Sequence, residues 1–126
     1  MLTDCCFDVI NQNGDYLGGV ISPGIKLSLK ALHDMTAKLP QIEIKKQQNV
    51  IGKTTIEAMN SGVYFGYISL VEGLIRRIKD EYKKEMKVVI TGGLASLFKN
   101  SINLIDYIDP NLTLEGLNIV YNKNIN

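Results

Sequence analysis

From Thr54 to Leu94 the chain spells a long amphipathic helix, a charged turn and a short apolar strand that stops at two glycines. No other stretch limits the fold as tightly. Thr54-Thr55-Ile56-Glu57 matches the capping-box pattern, with Thr54 as N-cap and Glu57 three residues on. Behind it Ile56, Met59, Val63, Tyr67, Leu70, Val71, Leu74 and Ile78 recur at helical spacing, which predicts the longest helix of the protein with one apolar face. Gly62 and Gly66, four apart, cost helix propensity but allow another element to pack closely. The helix runs through the turn at Lys83 to Lys87 into KVVITGGL, where Val88 to Thr91 have strand character and Gly92-Gly93 carry no Cβ. The glycine pair has two readings. It is a tight strand-to-helix turn, a common use of such pairs, or a place where backbone approaches a ligand, since ligands of open α/β sheets sit beyond the carboxyl ends of strands.

The remaining segments extend this into an α/β order. Thr3 to Ile10 is strand-like, and Asn13-Gly14 signals a hairpin, because both residues tolerate the positive φ of a type I′ turn. The return strand runs from Asp15 to about Ile21 and contains Gly18-Gly19, which mark a bulge, a bend or a close approach. Ser22-Pro23 reads as N-cap and first helical residue of a helix carrying Ile25, Leu29, Leu32, Thr36 and Leu39 and ended by Pro40. His33, the single histidine, has no Cys or Asp pair near it in sequence and reads as a surface or satisfied residue. Ile42 and Ile44 alternate with polar neighbours and make Gln41 to Lys46 a candidate short strand. After Gly93 come a short helix over Leu94 to Lys99, a strand over Leu104 to Ile108, a turn at Asp109-Pro110-Asn111 and a final helix over Thr113 to Tyr121. The expected fold is a mixed-sheet α/β domain with an antiparallel hairpin start and helices packed on the sheet.

At 126 residues the chain is one domain's worth, long enough for a core without staples. Fourteen basic side chains against 13 acidic give a net charge of +1, which excludes a broad field for nucleic acid or an anionic membrane. The cluster of Arg76, Arg77, Lys79, Lys83, Lys84 and Lys87 is interleaved with Asp80, Glu81 and Glu85 and reads as a solvated helix end favoured by the helix dipole. Cys5-Cys6 are adjacent, which suits neither a structural disulfide nor a zinc site, and they read as small strand residues in a reducing compartment. With no signal-peptide pattern, membrane span or lipidation signal in these residues, a cytoplasmic protein is expected.

Five stretches, in order, carry a resemblance: FDVINQNGDYLGGVISPG at 7–24, ALHDMTAKLP at 31–40, IGKTTIEAMNSG at 51–62, VITGGLA at 89–95 and DPNLTLEGL at 109–117. Together they resemble the C-terminal half of the type III pantothenate kinases, members of the acetate and sugar kinase, Hsp70 and actin superfamily. The resemblance implies a ribonuclease H-like (actin-like ATPase) domain, one of two between which ATP is held close to pantothenate. It implies ATP-dependent phosphorylation of pantothenate to 4'-phosphopantothenate, the first step of coenzyme A biosynthesis. It further implies Mg2+, a monovalent cation (K+ or NH4+), and a homodimer or an association with a separate N-terminal half.

By the same resemblance Thr55 matches the pantothenate-contacting threonine, Thr91-Gly92-Gly93 the adenosine-side motif, and Thr3 the threonine of the second phosphate-binding motif, Asp-x-Gly-Thr-Ala. Thr55 also reads simply as the first residue of a capped helix. A hydroxyl at a helix N-terminus, beside free backbone N–H groups, favours a polar or anionic ligand group. No catalytic residue and no metal ligand is assigned within the chain, because the catalytic aspartate belongs to a Gly-x-Asp-Arg motif that these residues lack. The phosphate motif departs from the family pattern as well. Its cation-holding aspartate would precede Met1, its glycine is Leu2, its alanine is Asp4, and Cys6 replaces a following threonine, while Asp8 fits. Leu2 puts a branched side chain where backbone would approach phosphate. Asp4 brings a like charge that costs about 1 kcal/mol at ~4 Å even in water and more in a cleft. Two readings follow: half of a pantothenate kinase that needs an N-terminal half, or a truncated, non-catalytic ligand-binding or dimerisation module. In either case an exposed interdomain face is expected to drive association.

Overall fold

A computed structural model describes residues 4–36 and 38–125, so Leu2 and Thr3 lie outside the described residues. The chain divides into two compact units, Met1–Tyr67 and Ile68–Asn126.

The first unit opens with an antiparallel hairpin of β1 (Asp4–Ile10) and β2 (Tyr16–Pro23). Period-two alternation leaves Asp4, Cys6, Asp8 and Ile10 exposed and half-buries Cys5, Phe7 and Val9. The Asn-Gly signal locates the hairpin correctly, but the turn is not type I′, because Gly14 (φ 85°) has positive φ and Asn13 does not. Asn11 organises the loop instead: its Oδ1 accepts the N–H groups of Asn13 and Asp15, both at 2.9 Å. The bulge falls at Leu17, beside Gly18, while Gly18 and Gly19 stay paired with Val9 and Asp8. The register jumps from Val9↔Gly18 to Ile10↔Tyr16, and a Cβ on Gly19 would lie 2.2 Å from the Phe7 carbonyl oxygen.

Pro23 remains in β2, so Ser22-Pro23 does not open the helix. Gly24 is the N-cap of α1 (Ile25–Asp34), with extended backbone and no side-chain cap. The helix also ends earlier than Pro40. Thr36 turns its hydroxyl onto the Leu32 carbonyl at 2.6 Å, a local bond that competes with helical continuation, and the His33 ring pairs through Nδ1 with the Leu39 carbonyl at 2.9 Å. His33 is thus a satisfied residue. Residues 41–46 form no strand. The Lys45 N–H goes to the side chain of Asn60 at 3.0 Å rather than to a ladder.

The longest helix, α2 (Thr55–Tyr82), runs through both units. In the first unit it buries Met59, Asn60, Ser61, Val63, Tyr64 and Tyr67, with Tyr64 only 1% exposed, and these join Ile25 and Leu29 of α1 in the core. The Tyr67 hydroxyl ties α2 to α1, bonding Ser28 Oγ at 2.7 Å and donating to the Pro23 carbonyl. One expectation for α2 is corrected: Ile56, in the first turn, is exposed. A Cβ on Gly62 or Gly66 would meet nothing within 4 Å, so among the described residues no element packs against that pair.

In the second unit β3 (Val89–Ile90) and β4 (Tyr107–Ile108) pair in parallel, flanking α3 (Ala95–Phe98), and α4 (Leu112–Asn124) follows. Ile75, Ala95, Phe98 and Ile102 are its buried apolar residues. The architecture is mixed α/β with the antiparallel start the sequence predicts. The expected single mixed sheet is replaced, among the described residues, by two separate two-stranded sheets.

Candidate functional site

The Gly52–Thr55 segment is held by contacts that converge on the first turn of α2. Thr54 caps the helix: its Oγ1 accepts the Glu57 N–H at 3.2 Å, and its carbonyl accepts the Ala58 N–H at 2.9 Å. The Glu57 carboxylate reaches past Thr54 and accepts the N–H of Lys53 at 2.8 Å, so the capping box closes one residue further out than the sequence pattern suggests. Gly52 lies against the same turn. A Cβ there would stand 2.4 Å from the Ala58 nitrogen and 2.6 Å from the Glu57 carbonyl carbon, so only glycine fits. Deeper in the helix, Ser61 donates to the Val50 carbonyl and buried Asn60 receives Lys45. The result is a fixed loop that delivers Thr55, exposed, to a helix N-terminus whose first N–H groups have no intrahelical acceptor.

The second candidate segment sits at the carboxyl end of β3. Asp106 clamps this strand. Its Oδ2 accepts the Val88 N–H at 2.8 Å, while the Val88 carbonyl accepts the N–H groups of Asp106 and Tyr107. Thr91 follows, half-buried, and Gly92 has φ 104°, a conformation L side chains rarely adopt. The Gly92 carbonyl accepts the Ala95 N–H at 3.2 Å and starts α3. A Cβ on Gly92 or Gly93 would meet nothing within 4 Å, so the pair presents bare, exposed backbone to open space. Gly92 thus serves the turn through its φ, whereas no packing contact demands a glycine at Gly93.

Thr55 therefore belongs to the first unit and Thr91, Gly92 and Gly93 to the second, while Thr3 lies outside the described residues. Asp4 and Cys6, neighbours of Thr3 in sequence, are exposed on one face of β1, with Cys6 Sγ donating to Asp4 Oδ2 at 3.2 Å. That hydrogen bond raises the Cys6 thiol above the ordinary range, helped by desolvation and by the nearby charges of Asp4 and Asp8. Half-burial, then Asp4, raises Cys5. Gly52, Asn60 and Ser61 were not legible as site supports. Gly52 stands in a loop of unremarkable pattern, and Asn60-Ser61 interrupt the apolar stripe, where polar residues read as solvent-facing.

The family profile described as type III pantothenate kinase matches residues 3–77, which contain the whole Gly52–Thr55 arrangement. The chain belongs to the type III pantothenate kinase family. The type III pantothenate kinase of Acidiphilium cryptum is 53% identical over 122 residues, covering 97% of this chain and 46% of that protein. The one from Rhodospirillum rubrum is 49% identical over the same length, covering 97% and 48%. The chain spans about half the length of the curated type III pantothenate kinases it matches. Among solved structures, a Campylobacter jejuni protein described as a Baf family transcriptional activator superposes with a TM-score of 0.63. It is 22% identical, covering 97% of this chain and 54% of the other, a likeness of fold alone.

Proposed function

We propose that this chain supplies the pantothenate-contacting and adenosine-side segments of an ATP-dependent pantothenate kinase, within a ribonuclease H-like domain. The observation that carries the reading is the match to the type III pantothenate kinases over 3–77, together with the fixed, exposed N-terminus of α2 inside it. On this reading the Thr55 hydroxyl and the first-turn N–H groups of α2 that Thr54 does not take orient pantothenate by its polar groups. Thr91 and the bare backbone of Gly92-Gly93 receive the adenosine side of ATP, where an added side chain would stand in the nucleotide's way.

These residues contain no Gly-x-Asp-Arg motif, so the proton acceptor for the pantothenate hydroxyl comes from outside them. The donor set does not fit a metal site either. No group of three or more His, Cys, Asp or Glu among the described residues could hold an ion, and no step is assigned to Mg2+ or to a monovalent cation on this chain. We therefore read these residues as a half-site completed by groups that lie outside them. No described helix is long and apolar enough to cross a membrane.

Isothermal titration of the chain with pantothenate, and separately with ATP, tests the assignment. Thr55→Ala is expected to weaken pantothenate at least fivefold and leave ATP unchanged, and Gly93→Val to do the reverse. Equal effects of both variants on both ligands would contradict it. If neither variant alters either ligand's binding, the non-catalytic association module becomes the better account.

A further inference from the structure

Helix α4 is exposed at every described position, yet its surface is not that of a solvated helix. Leu114, Leu117, Tyr121 and the C-cap Ile125 fall on one stripe at helical spacing and are 59–67% exposed. Leu112 and Ile119, 44% and 56% exposed, lie on the opposite side, and Val120, 57% exposed, lies between. Glu115 and Lys123 are the only charged residues in the helix. A helix that is apolar on more than one side belongs inside a larger structure.

The partner can be argued from length and shape. The alignments with the two pantothenate kinases take in all but about four of this chain's residues, so most of α4 has a counterpart in proteins with as much polypeptide again. A two-fold pairing of α4 with its copy would bury one stripe of each helix and leave the opposite side in water. A groove buries both sides, as in helix-in-groove recognition. Building on the half-site reading above, we propose that α4 is the docking element for the polypeptide corresponding to the half of those relatives that this chain does not span. That partner would present an apolar groove, with Leu117 and Tyr121 as the central anchors.

The test co-expresses the 126-residue chain with the non-aligned half of the Acidiphilium cryptum protein and follows size by light scattering and α4 by amide hydrogen exchange. The expected result is a one-to-one complex in which α4 amides slow at least tenfold relative to the chain alone. Leu117→Glu should abolish the complex, and Leu112→Glu on the opposite side should weaken it. Since both residues are exposed, neither variant should change the circular dichroism of the chain alone. Absence of a complex, a complex with unprotected α4, or α4 already protected in the chain alone would each overturn the proposal. Complex formation with a protected α4 but no pantothenate phosphorylation would leave the docking assignment standing and remove the kinase reading. Phosphorylation with α4 unprotected would do the opposite.

Discussion

Two adjacent threonines divide the labour at the start of α2. Thr54 accepts the Glu57 N–H and so acts on helix stability, whereas the Thr55 side chain is exposed and, on the proposed function, acts only on a bound ligand. Thr54→Ala should therefore cost about 1 kcal/mol of stability in urea denaturation. Thr55→Ala should leave the urea midpoint unchanged. The glycines separate in the same way. Gly52→Ala drives a methyl into the backbone of the first α2 turn and should cost on the order of 1–3 kcal/mol. Gly92→Ala is strained by its φ of 104°, while Gly93→Ala meets open space and should be nearly neutral for folding. On β1, Cys6 donates to Asp4 and its thiol is raised, so it carries less thiolate at pH 8 than an ordinary cysteine. Its alkylation by iodoacetamide should need a higher pH, and Asp4→Asn should shift the rate profile down. An unshifted profile in Asp4→Asn would contradict that cause.

Among the elements, the segment 41–53 shows how a site is built without regular structure. Asn60, 4% exposed, is the acceptor for the Lys45 N–H, and Ser61 holds the Val50 carbonyl. Asn60→Leu removes that acceptor and should cost about 1–3 kcal/mol. The readout is faster hydrogen exchange at Lys45, with α1 amides little affected. This segment also marks where the sequence stopped being legible. Ile42 and Ile44 alternate as a strand would, but alternation reports which side chains are half-buried and not where the backbone N–H groups bond. Helix α2 was legible for the converse reason, since its capping residues and its spacing are both local signals. Helix α1 was legible at its core residues Ile25 and Leu29 and not at its ends. There Pro23 pairs in β2 and the Thr36 hydroxyl takes the Leu32 carbonyl, and neither choice follows from apolar spacing. The Asn-Gly step identified the hairpin correctly, yet Asn11, two residues before it, sets the loop geometry.

For the whole molecule, membership of the type III pantothenate kinases and coverage of about half their length are the two facts that any function must respect. Thr55 and Thr91-Gly92-Gly93 were legible as candidates through the five ordered stretches, since locally they read as a helix cap and a turn, whereas the support given by Gly52, Asn60 and Asp106 comes from contacts between residues distant in sequence or from loop packing. The apolar surface of α4 belongs to this scale too, since Leu117 and Tyr121 look like ordinary core residues until they are found exposed. The most direct measurement is transfer of the γ-phosphate of labelled ATP to pantothenate, by the chain alone and by the chain co-expressed with the non-aligned half of the Acidiphilium cryptum protein. The account predicts no transfer by the chain alone, transfer by the pair, and loss of that transfer in Thr55→Ala. Turnover by the chain alone that Thr55→Ala abolishes would contradict it, because the whole catalytic apparatus would then lie within these residues.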